Sequence, residues 1–445
     1  MRPPQPMASS SMWGARISRN ICTPSSSTLA SLGAGTSGKM HRVTRLRVVL
    51  ISMYVGHERV PHAGGRYLLA LQRLLDAETD LTMLTVGNRL NHEAAQKQGV
   101  PGRLLLLGHE PGRNPVAKLV NRLTVGADAR LRRRRDPGLP SLPFVLGLLR
   151  SPRARAAVRE ADVIDLQYSE SIRLVRLLRR LNPDARITGT FHDVMSQSFS
   201  REPQDSPATR RYWQRVATRS RAQESHMVER LDEVLVFSRK DAELLGNPPH
   251  TVVHPPLSVG LEPPHEPADA PVVVVVSYLA RDENDKAALW TIEHVWPRVH
   301  AARPEAVIRF IGGGASDRLR DTVAALPAGS GVVLAGFVDD LDAEYAAAAV
   351  SLVPVLQGAG VKFKTVEALC HGVPVVTTTV GAEGIEGEDL YAGLADDPGA
   401  LADALLAVLD DPAGAQERSD LVQHWAQETY GRERFDTTIR STWVR

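Results

Sequence analysis

Short apolar runs alternate with amphipathic segments along most of this chain. Uniformly apolar runs of about five residues are typical of strands buried on both faces of a parallel sheet. The first is Arg47–Met53, and the clearest is the valine run Val272–Val276. The other predicted strands are Leu81–Val86, Arg103–Leu107, Val163–Gln167, Arg186–Thr190, Val234–Phe237, Val307–Ile311, Val332–Ala335, Val350–Pro354 and Val373–Val376. Helical patterns separate most of them, which predicts βαβ units and parallel sheets. One predicted helix begins after a loop that contains Gly64 and Gly65, and another spans Ala287–Val299.

A proline-rich linker at 256–271 divides this alternation into two halves, each long enough to bury its own core. We therefore predict an α/β protein with two Rossmann-like domains, at 46–255 and 272–420. Their parallel sheets should face each other across an interdomain cleft. A terminal helical segment is expected at 421–445. Ligands of such sheets bind at the carboxyl ends of strands, and domain interfaces are preferred pockets.

Composition adds limits on compartment and partners. Residues 1–45 are rich in Ser, Pro, Gly and Arg and contain no Asp or Glu. They read either as a transit peptide or as a disordered extension, and we favour the extension. The chain has a net charge of +2 and two cysteines, Cys22 and Cys370, which fit a reducing compartment. With no apolar run of about 18 residues, a cytoplasmic protein is expected.

One stretch, from Val353 to Ile385, concentrates the candidate chemistry. An apolar strand is followed by a glycine loop and then by a helical segment that begins near Lys362 and Lys364. Strand, glycine turn and helix start is an arrangement whose backbone N–H groups and dipole favour an anion. Two lysines in a first turn would otherwise oppose the dipole, so they suggest a bound phosphate. The alternative is an ordinary crossover whose lysines face solvent.

This stretch resembles the nucleotide-sugar site of GT-B glycosyltransferases, in particular family 4 retaining enzymes with a Gly-Ala-Gly-x-Lys loop. The matching residues are Gly358, Gly360, Lys362, Lys364, Glu367, Ala368, Gly372, Val373, Pro374, Val375, Val376 and Gly381. The resemblance implies the GT-B fold and a nucleoside-diphosphate-sugar donor, whose ribose Glu367 would bind. Most family members carry a second glutamate eight positions earlier, where this chain has Ala359.

The resemblance also implies roles for residues outside this stretch. It assigns the donor diphosphate to backbone and lysine groups of both domains, namely Gly64, Gly65, Gly360, Val361 and Lys362. It places Phe337 and Val338 at the nucleotide base. His192, at the end of a predicted strand, would lie beside the transferred sugar and donate a hydrogen bond to a sugar hydroxyl or to the leaving phosphate. Asp193 is expected to cap the following turn.

The leading hypothesis is thus a retaining glycosyltransferase of the hexosyltransferase type, acting on a glycan, lipid-linked or small-molecule acceptor. No cofactor is expected, because the nucleotide sugar is a substrate. No His, Cys or Asp cluster has metal-ligand spacing, so no protein-bound metal is expected either. The alternative is a non-catalytic GT-B-like protein that binds a nucleotide or glycan, which Ala359 keeps open.

Arginines are dense between residues 113 and 159, with apolar residues between them. The one aromatic residue among them, Phe144, belongs to an apolar run. Stacking aromatic residues therefore do not interleave with the arginines as they do in nucleic-acid sites, and no nucleic-acid partner is expected. A basic face near the inner surface of a membrane, or near an anionic acceptor, is one interpretation. A solvated basic face is the simpler one.

Overall fold

The computed structural model describes residues 45–57, 63–108, 115–134, 138–202, 206–257 and 270–443. Arg45–Arg445 forms one compact unit. The N-terminal extension, apart from its last residue, and most of the predicted linker lie outside the described residues.

The N-terminal half forms a seven-stranded sheet in which every neighbouring pair is parallel. Its strands are β1 (Arg47–Ile51), β2 (Asp80–Val86), β3 (Arg103–Leu107), β4 (Val163–Gln167), β5 (Arg186–Phe191), β6 (Glu233–Val236) and β7 (His250–Val252). Their order is β3-β2-β1-β4-β5-β6-β7, so the order reverses between β1 and β4. Such a switch point leaves a crevice at the carboxyl ends of the strands.

In the described residues of this half, ten helices connect these strands. They are α1 (Ala63–Glu78), α2 (Arg89–Gln98), α3 (Pro115–Arg134), α4 (Leu142–Arg150), α5 (Pro152–Glu160), α6 (Tyr168–Ile172), α7 (Val175–Leu181), α8 (Met195–Ser200), α9 (Pro207–Val228) and α10 (Arg239–Leu244). Several begin at side-chain caps, as α9 does at Ser206, whose hydroxyl accepts from Thr209 N.

The C-terminal half forms a second parallel sheet of six strands, in the order β10-β9-β8-β11-β12-β13. They are β8 (Val272–Val276), β9 (Val307–Ile311), β10 (Val332–Gly336), β11 (Val350–Val353), β12 (Val375–Thr377) and β13 (Gly393–Leu394). Its helices are α11 (Asp282–Trp290), α12 (Trp296–Ala302), α13 (Asp317–Ala324), α14 (Leu341–Ala346), α15 (Phe363–Cys370), α16 (Pro398–Asp410), α17 (Pro412–Thr429) and α18 (Arg432–Trp443). A π-helical segment, Thr291–Val295, joins α11 to α12, and a short 3₁₀ turn spans Glu388–Leu390.

Each sheet is covered on both faces by buried apolar clusters, as its near-continuous hydrophobic strands require. The last helix, α18, leaves the C-terminal half and packs on the first. Its Phe435, Ile439 and Trp443 share a cluster with Val48 and Leu68. The two halves are therefore joined by packing as well as by the chain between them.

The predicted fold class, two Rossmann-like domains with parallel sheets, is confirmed. Two local expectations were wrong. Gly64 and Gly65 do not form a loop before a helix, because the first turn of α1 already includes both. The helix expected over Ala287–Val299 begins earlier, at Asp282, and changes to π-helical geometry at Thr291.

Candidate functional site

The candidate residues gather where the strand order of each sheet reverses. The reversal falls between β1 and β4 in the first sheet and between β8 and β11 in the second. In the first sheet, Tyr168 follows β4 and His192 follows β5. In the second sheet, Ser277 follows β8, and the loop 354–362 follows β11 and leads into α15. Contacts between the two sets, described below, show that both crevices open into one interdomain cleft.

The glycine loop before α15 folds around the side chain of Lys362. Lys362 is the N-cap residue of this helix, and its Nζ donates to the carbonyl oxygens of Ala359 (3.1 Å) and Gly360 (2.6 Å). Burial lowers the pKa of Lys362, against the opposing effect of Glu383 and Asp193. The loop thus places a cation at a helix N-terminus, as an anion site requires.

Lys364, two residues further along the chain, is held by Ser277 and Asn284, which follow β8. Its Nζ donates to Ser277 Oγ (2.9 Å) and to Asn284 Oδ1 (2.8 Å). Burial, reinforced by Lys362 and Arg281, lowers the pKa of Lys364 to about 7. Both of its hydrogen-bond partners are neutral, so this lysine is poised to gain an anionic partner.

Glu383, in the loop after β12, links the two domains. Arg201 binds its carboxylate through two nitrogens (2.7 and 2.8 Å), and Lys240 approaches to 3.0 Å. Lys362 Nζ lies 3.8 Å from Glu383 Oε2, and both residues belong to the C-terminal domain. Burial disfavours the charge on Glu383, but the hydrogen bonds from Arg201 and Lys240 outweigh it and lower the pKa to about 2. Three cations thus surround one carboxylate.

Glu367 lies on α15 with its side chain 8% exposed, and it is paired across the cleft. Arg66 Nη1, from the first turn of α1, lies 2.7 Å from Glu367 Oε1. This pair ties the first turn of α1, and with it Gly64 and Gly65, to the C-terminal domain. The predicted ribose-binding carboxylate therefore has a competing partner within the chain.

His192 is buried, with 7% of its surface exposed, in a cage of rings. It stacks on Tyr168, with ring centroids 3.7 Å apart, and meets Tyr67 of α1 and Phe237 edge-on at 5.1 and 4.8 Å. Its Nε2 lies 2.9 Å from Gln167 Oε1. Tyr168 has a positive φ of 69°, which is uncommon outside glycine and typical of functional sites.

Asp193 is not the cap that the sequence suggested, because α8 begins after Val194 and has no side-chain cap. Its carboxylate instead meets the glycine loop of the other domain. A Cβ built on Gly360 would lie 2.1 Å from Asp193 Oδ1, and Gly360 has a φ of 72°. The side chain of Asp193 keeps some contact with solvent, yet protein surrounds its carboxylate. The resulting desolvation raises the pKa of Asp193, and the charge of Lys362 opposes this shift.

Phe337 and Val338 follow β10, the edge strand of the second sheet. The side chain of Phe337 is 78% exposed, whereas Val338 is half-buried. A Cβ built on Gly313 would lie 3.8 Å from Phe337 Cβ, and the preceding Gly312 closely approaches Ser277 O. Since Ser277 also binds Lys364, a continuous line of contacts runs from Lys364 to Phe337.

The structure thus brings Lys362 and Glu367 of the C-terminal domain to one cleft with His192 and the first turn of α1, which belong to the N-terminal domain. Sequence reasoning missed the residues that close this cleft: Arg66, Arg201, Lys240 and Glu383. Lys240 and Glu383 each follow the carboxyl end of a strand, which is a signal that could have found them. Two further cations pair with carboxylates of α11: Lys286 pairs with Asp282 (2.6 Å) and Arg281 pairs with Glu283 (2.9 Å).

Within the described ranges, no group of three or more His, Cys, Asp or Glu side chains is arranged to hold a metal ion. In the same part of the chain, no helix has the length and apolar character needed to cross a membrane.

The fold is that of the GT-B glycosyltransferases. Sucrose-phosphate synthase from Thermosynechococcus elongatus superposes with a TM-score of 0.62 at 19% identity, covering 90% of this chain and 98% of that one. Anabaena HepE, solved in complex with UDP and glucose, gives a TM-score of 0.57 at 14% identity, over 89% of this chain and 99% of that one.

The C-terminal domain carries a sequence match as well. Residues 270–411 match the family model described as glycosyl transferases group 1. A Klebsiella pneumoniae protein, described as an uncharacterized 44.6 kDa protein in the cps region, is 25% identical over 174 residues. That match spans 38% of this chain and 44% of the relative's length. The chain therefore combines a GT-B fold with a C-terminal domain that matches the group 1 glycosyltransferase model, and the matched residues include α15 and its glycine loop.

Proposed function

We propose that this protein is a retaining glycosyltransferase that moves a hexosyl group from a nucleoside-diphosphate sugar to an acceptor. The observation that carries the proposal is the start of α15. There Lys362, Lys364 and the helix N-terminus converge on one side of a cleft, and the buried Glu367 lies one helical turn further on. HepE, which shares the fold, was solved with UDP and glucose.

The chemical task is to stabilise a departing diphosphate. Preorganised cations and dipoles contribute most where water is excluded and charge develops in the transition state. Lys362 and the backbone amides of Gly360 and Val361 would receive the diphosphate from the C-terminal side. Gly64 and Gly65, in the first turn of α1, would approach it from the other domain, where the helix dipole is again positive.

Recognition of the rest of the donor follows from the same geometry. Glu367 would accept hydrogen bonds from the ribose hydroxyls once Arg66 releases it. Phe337 offers an exposed ring on which a nucleotide base can pack, next to the half-buried Val338. His192 would lie beside the transferred sugar. Ala359 supplies no carboxylate at the position where the related enzymes have one, so we expect front-face transfer without a protein nucleophile.

Binding of a nucleotide sugar is tested by a thermal-unfolding screen of GDP-, UDP-, ADP- and dTDP-sugars. A ligand at 100 times its Kd stabilises the folded state by about 2.7 kcal/mol, which shifts the melting temperature by several degrees. We expect one donor to stabilise the wild type but neither Lys362→Ala nor Glu367→Ala. Lys286→Ala, which removes an exposed lysine of α11, should respond like the wild type. No shift with any donor would refute the site.

The acceptor side is proposed to lie at a membrane surface, and helix α3 supports this. Its outward side carries Leu119 (56% exposed) and Leu123 (63% exposed) together with the exposed Arg122 and Arg130. The only acidic residue of α3, Asp128, faces inward and accepts from Leu142 N (2.8 Å). Apolar and basic side chains on one helical face are typical of binding to anionic lipid surfaces.

Flotation with vesicles tests this surface. We expect the protein to float with vesicles that contain phosphatidylglycerol and not with pure phosphatidylcholine, and less so as salt increases. Leu119→Ser/Leu123→Ser and Arg122→Gln/Arg130→Gln should each abolish flotation. Leu421→Ser, at a leucine of α17 that is 78% exposed, is the matched control. If the α3 variants float like the wild type, α3 is a solvated face.

A further inference from the structure

A buried hydrogen-bond chain ends on the ring of His192. Gln167 Oε1 lies 2.9 Å from His192 Nε2. The amide nitrogen of Gln167 donates to Thr190 Oγ1 at 3.0 Å and to Asp165 Oδ1. The other oxygen of Asp165 accepts from Thr188 Oγ1 at 2.8 Å. All five side chains are at most 7% exposed, so their hydrogen-bonding roles are set by one another.

The direction of the chain follows from the chemistry of its members. An ionised carboxylate only accepts hydrogen bonds, so the group that Gln167 turns towards Asp165 must be its NH₂. The oxygen of the same amide then faces His192. Because an amide oxygen only accepts, the proton between the two residues belongs to His192 Nε2.

We propose that Asp165 and Gln167 are positioning residues that hold neutral His192 in its Nε2–H tautomer. In this tautomer Nδ1 carries the lone pair, so the neutral ring can accept a hydrogen bond at Nδ1 but has no further proton to donate. Towards a bound sugar, His192 would therefore act as an acceptor from a hydroxyl group, which reverses the donor role implied by the resemblance. The tautomer rests on the contacts of Gln167 and on an ionised Asp165, whereas the sugar contact rests on the proposed function.

The two tyrosines that pack on the ring of His192 leave this arrangement intact. Tyr67 of α1 and Tyr168 contact it, and burial raises the pKa of both phenols, which keeps them neutral near pH 7. Asp193 is the next residue, and Phe237, from the end of β6, is apolar. Burial also raises the pKa of Asp165. If Asp165 were protonated, it could donate to Gln167, turn the amide over and place the histidine proton on Nδ1. The hydrogen-bond arrangement with Asp165 ionised and the one with Asp165 protonated therefore predict opposite tautomers of His192.

Long-range ¹H–¹⁵N NMR of ¹⁵N-histidine-labelled protein distinguishes them without any substrate. The His192 signals are assigned by their absence in His192→Gln. We expect a protonated Nε2 and an unprotonated Nδ1 at pH 7. A ring with its proton on Nδ1, or a doubly protonated ring at this pH, would overturn the proposal.

A charge relocation tests the positioning role. The double variant Asp165→Asn/Gln167→Glu keeps the total charge but moves the carboxylate from position 165 to position 167, where it contacts His192 directly. We expect this variant to hold His192 doubly protonated at pH 7, whereas Gln167→Met, which removes the acceptor, should leave it neutral. A relocated charge that leaves the ring neutral in a folded protein would contradict the positioning role.

Turnover of the donor found in the thermal screen then tests whether His192 acts as a hydrogen-bond acceptor towards the sugar. We expect the relocated charge to lower kcat/KM at least tenfold at pH 7, because the ring can no longer accept. If the ring becomes doubly protonated and turnover is unchanged, the acceptor role is refuted. If the wild type turns over no nucleotide sugar, the proposed function fails, and the NMR result still decides the tautomer.

Discussion

The interdomain carboxylate Glu383 gives the sharpest quantitative prediction. Its side chain is 10% exposed and faces Arg201, Lys240 and Lys362. The fall of its pKa from 4.5 to about 2 on folding corresponds to about 3 kcal/mol of stability. Glu383→Gln removes this charge and leaves three cations facing one another, so we expect it to lose about 3 kcal/mol at pH 7.

The pH dependence follows from the sign of this shift. Because the folded pKa lies below the unfolded one, the contribution is complete above about pH 5 and disappears as the pH falls from 4.5 to about 2. Urea unfolding at a series of pH values should therefore show a difference between wild type and Glu383→Gln that shrinks on acidification. The control is Glu386→Gln, because Glu386 pairs with Arg239 in an exposed position and should matter by less than about 1 kcal/mol. Equal stability of Glu383→Gln and wild type at pH 7 would refute this reasoning.

Three further predictions concern the binding cleft. The pKa of Lys364 is about 7 without ligand, and a bound anion raises it. Nucleoside-diphosphate affinity should therefore be greatest below pH 7 and decline above it, by up to tenfold per pH unit. In titration calorimetry, Lys364→Met should show a flatter pH profile. Gly360→Ala should lower the melting temperature and the nucleotide affinity, because its Cβ would meet Asp193 Oδ1; Gly99→Ala, with a similar φ of 67° but open space, should retain wild-type affinity. Arg66→Ala should tighten nucleotide binding while reducing stability, because it frees Glu367 but leaves it unpaired; unchanged affinity would show that the pair does not compete with the ligand.

The fold could be predicted because each buried strand is marked by its own short run of apolar residues. Val272–Val276 and Val307–Ile311 are strands with the bounds that their valine- and isoleucine-rich runs indicated. Runs buried on both faces carry a strong signal, since nearly every position must be apolar. Gly64 and Gly65 were misplaced because glycine has a low helix propensity, which the packing of the rest of α1 overrides.

The cleft itself was only half visible in the sequence. The glycine loop and the residues of α15 lie within one continuous stretch, so their spacing could be read directly. The pairs Arg66–Glu367 and Arg201–Glu383 join residues about 300 and 180 positions apart, which no local pattern relates. The same is true of Gln167 and His192, which meet because β4 and β5 are neighbours in the sheet.

The most direct measurement of the central claim is release of the nucleoside diphosphate from the donor identified in the thermal screen. The account predicts release that is slow with water, faster when the acceptor is present, and abolished or strongly reduced in Lys362→Ala and Glu367→Ala but not in Lys286→Ala. The anomeric configuration of the product, read by NMR, should match that of the donor. A donor that binds at this site but is never turned over would contradict the account and identify a nucleotide-sugar-binding protein instead.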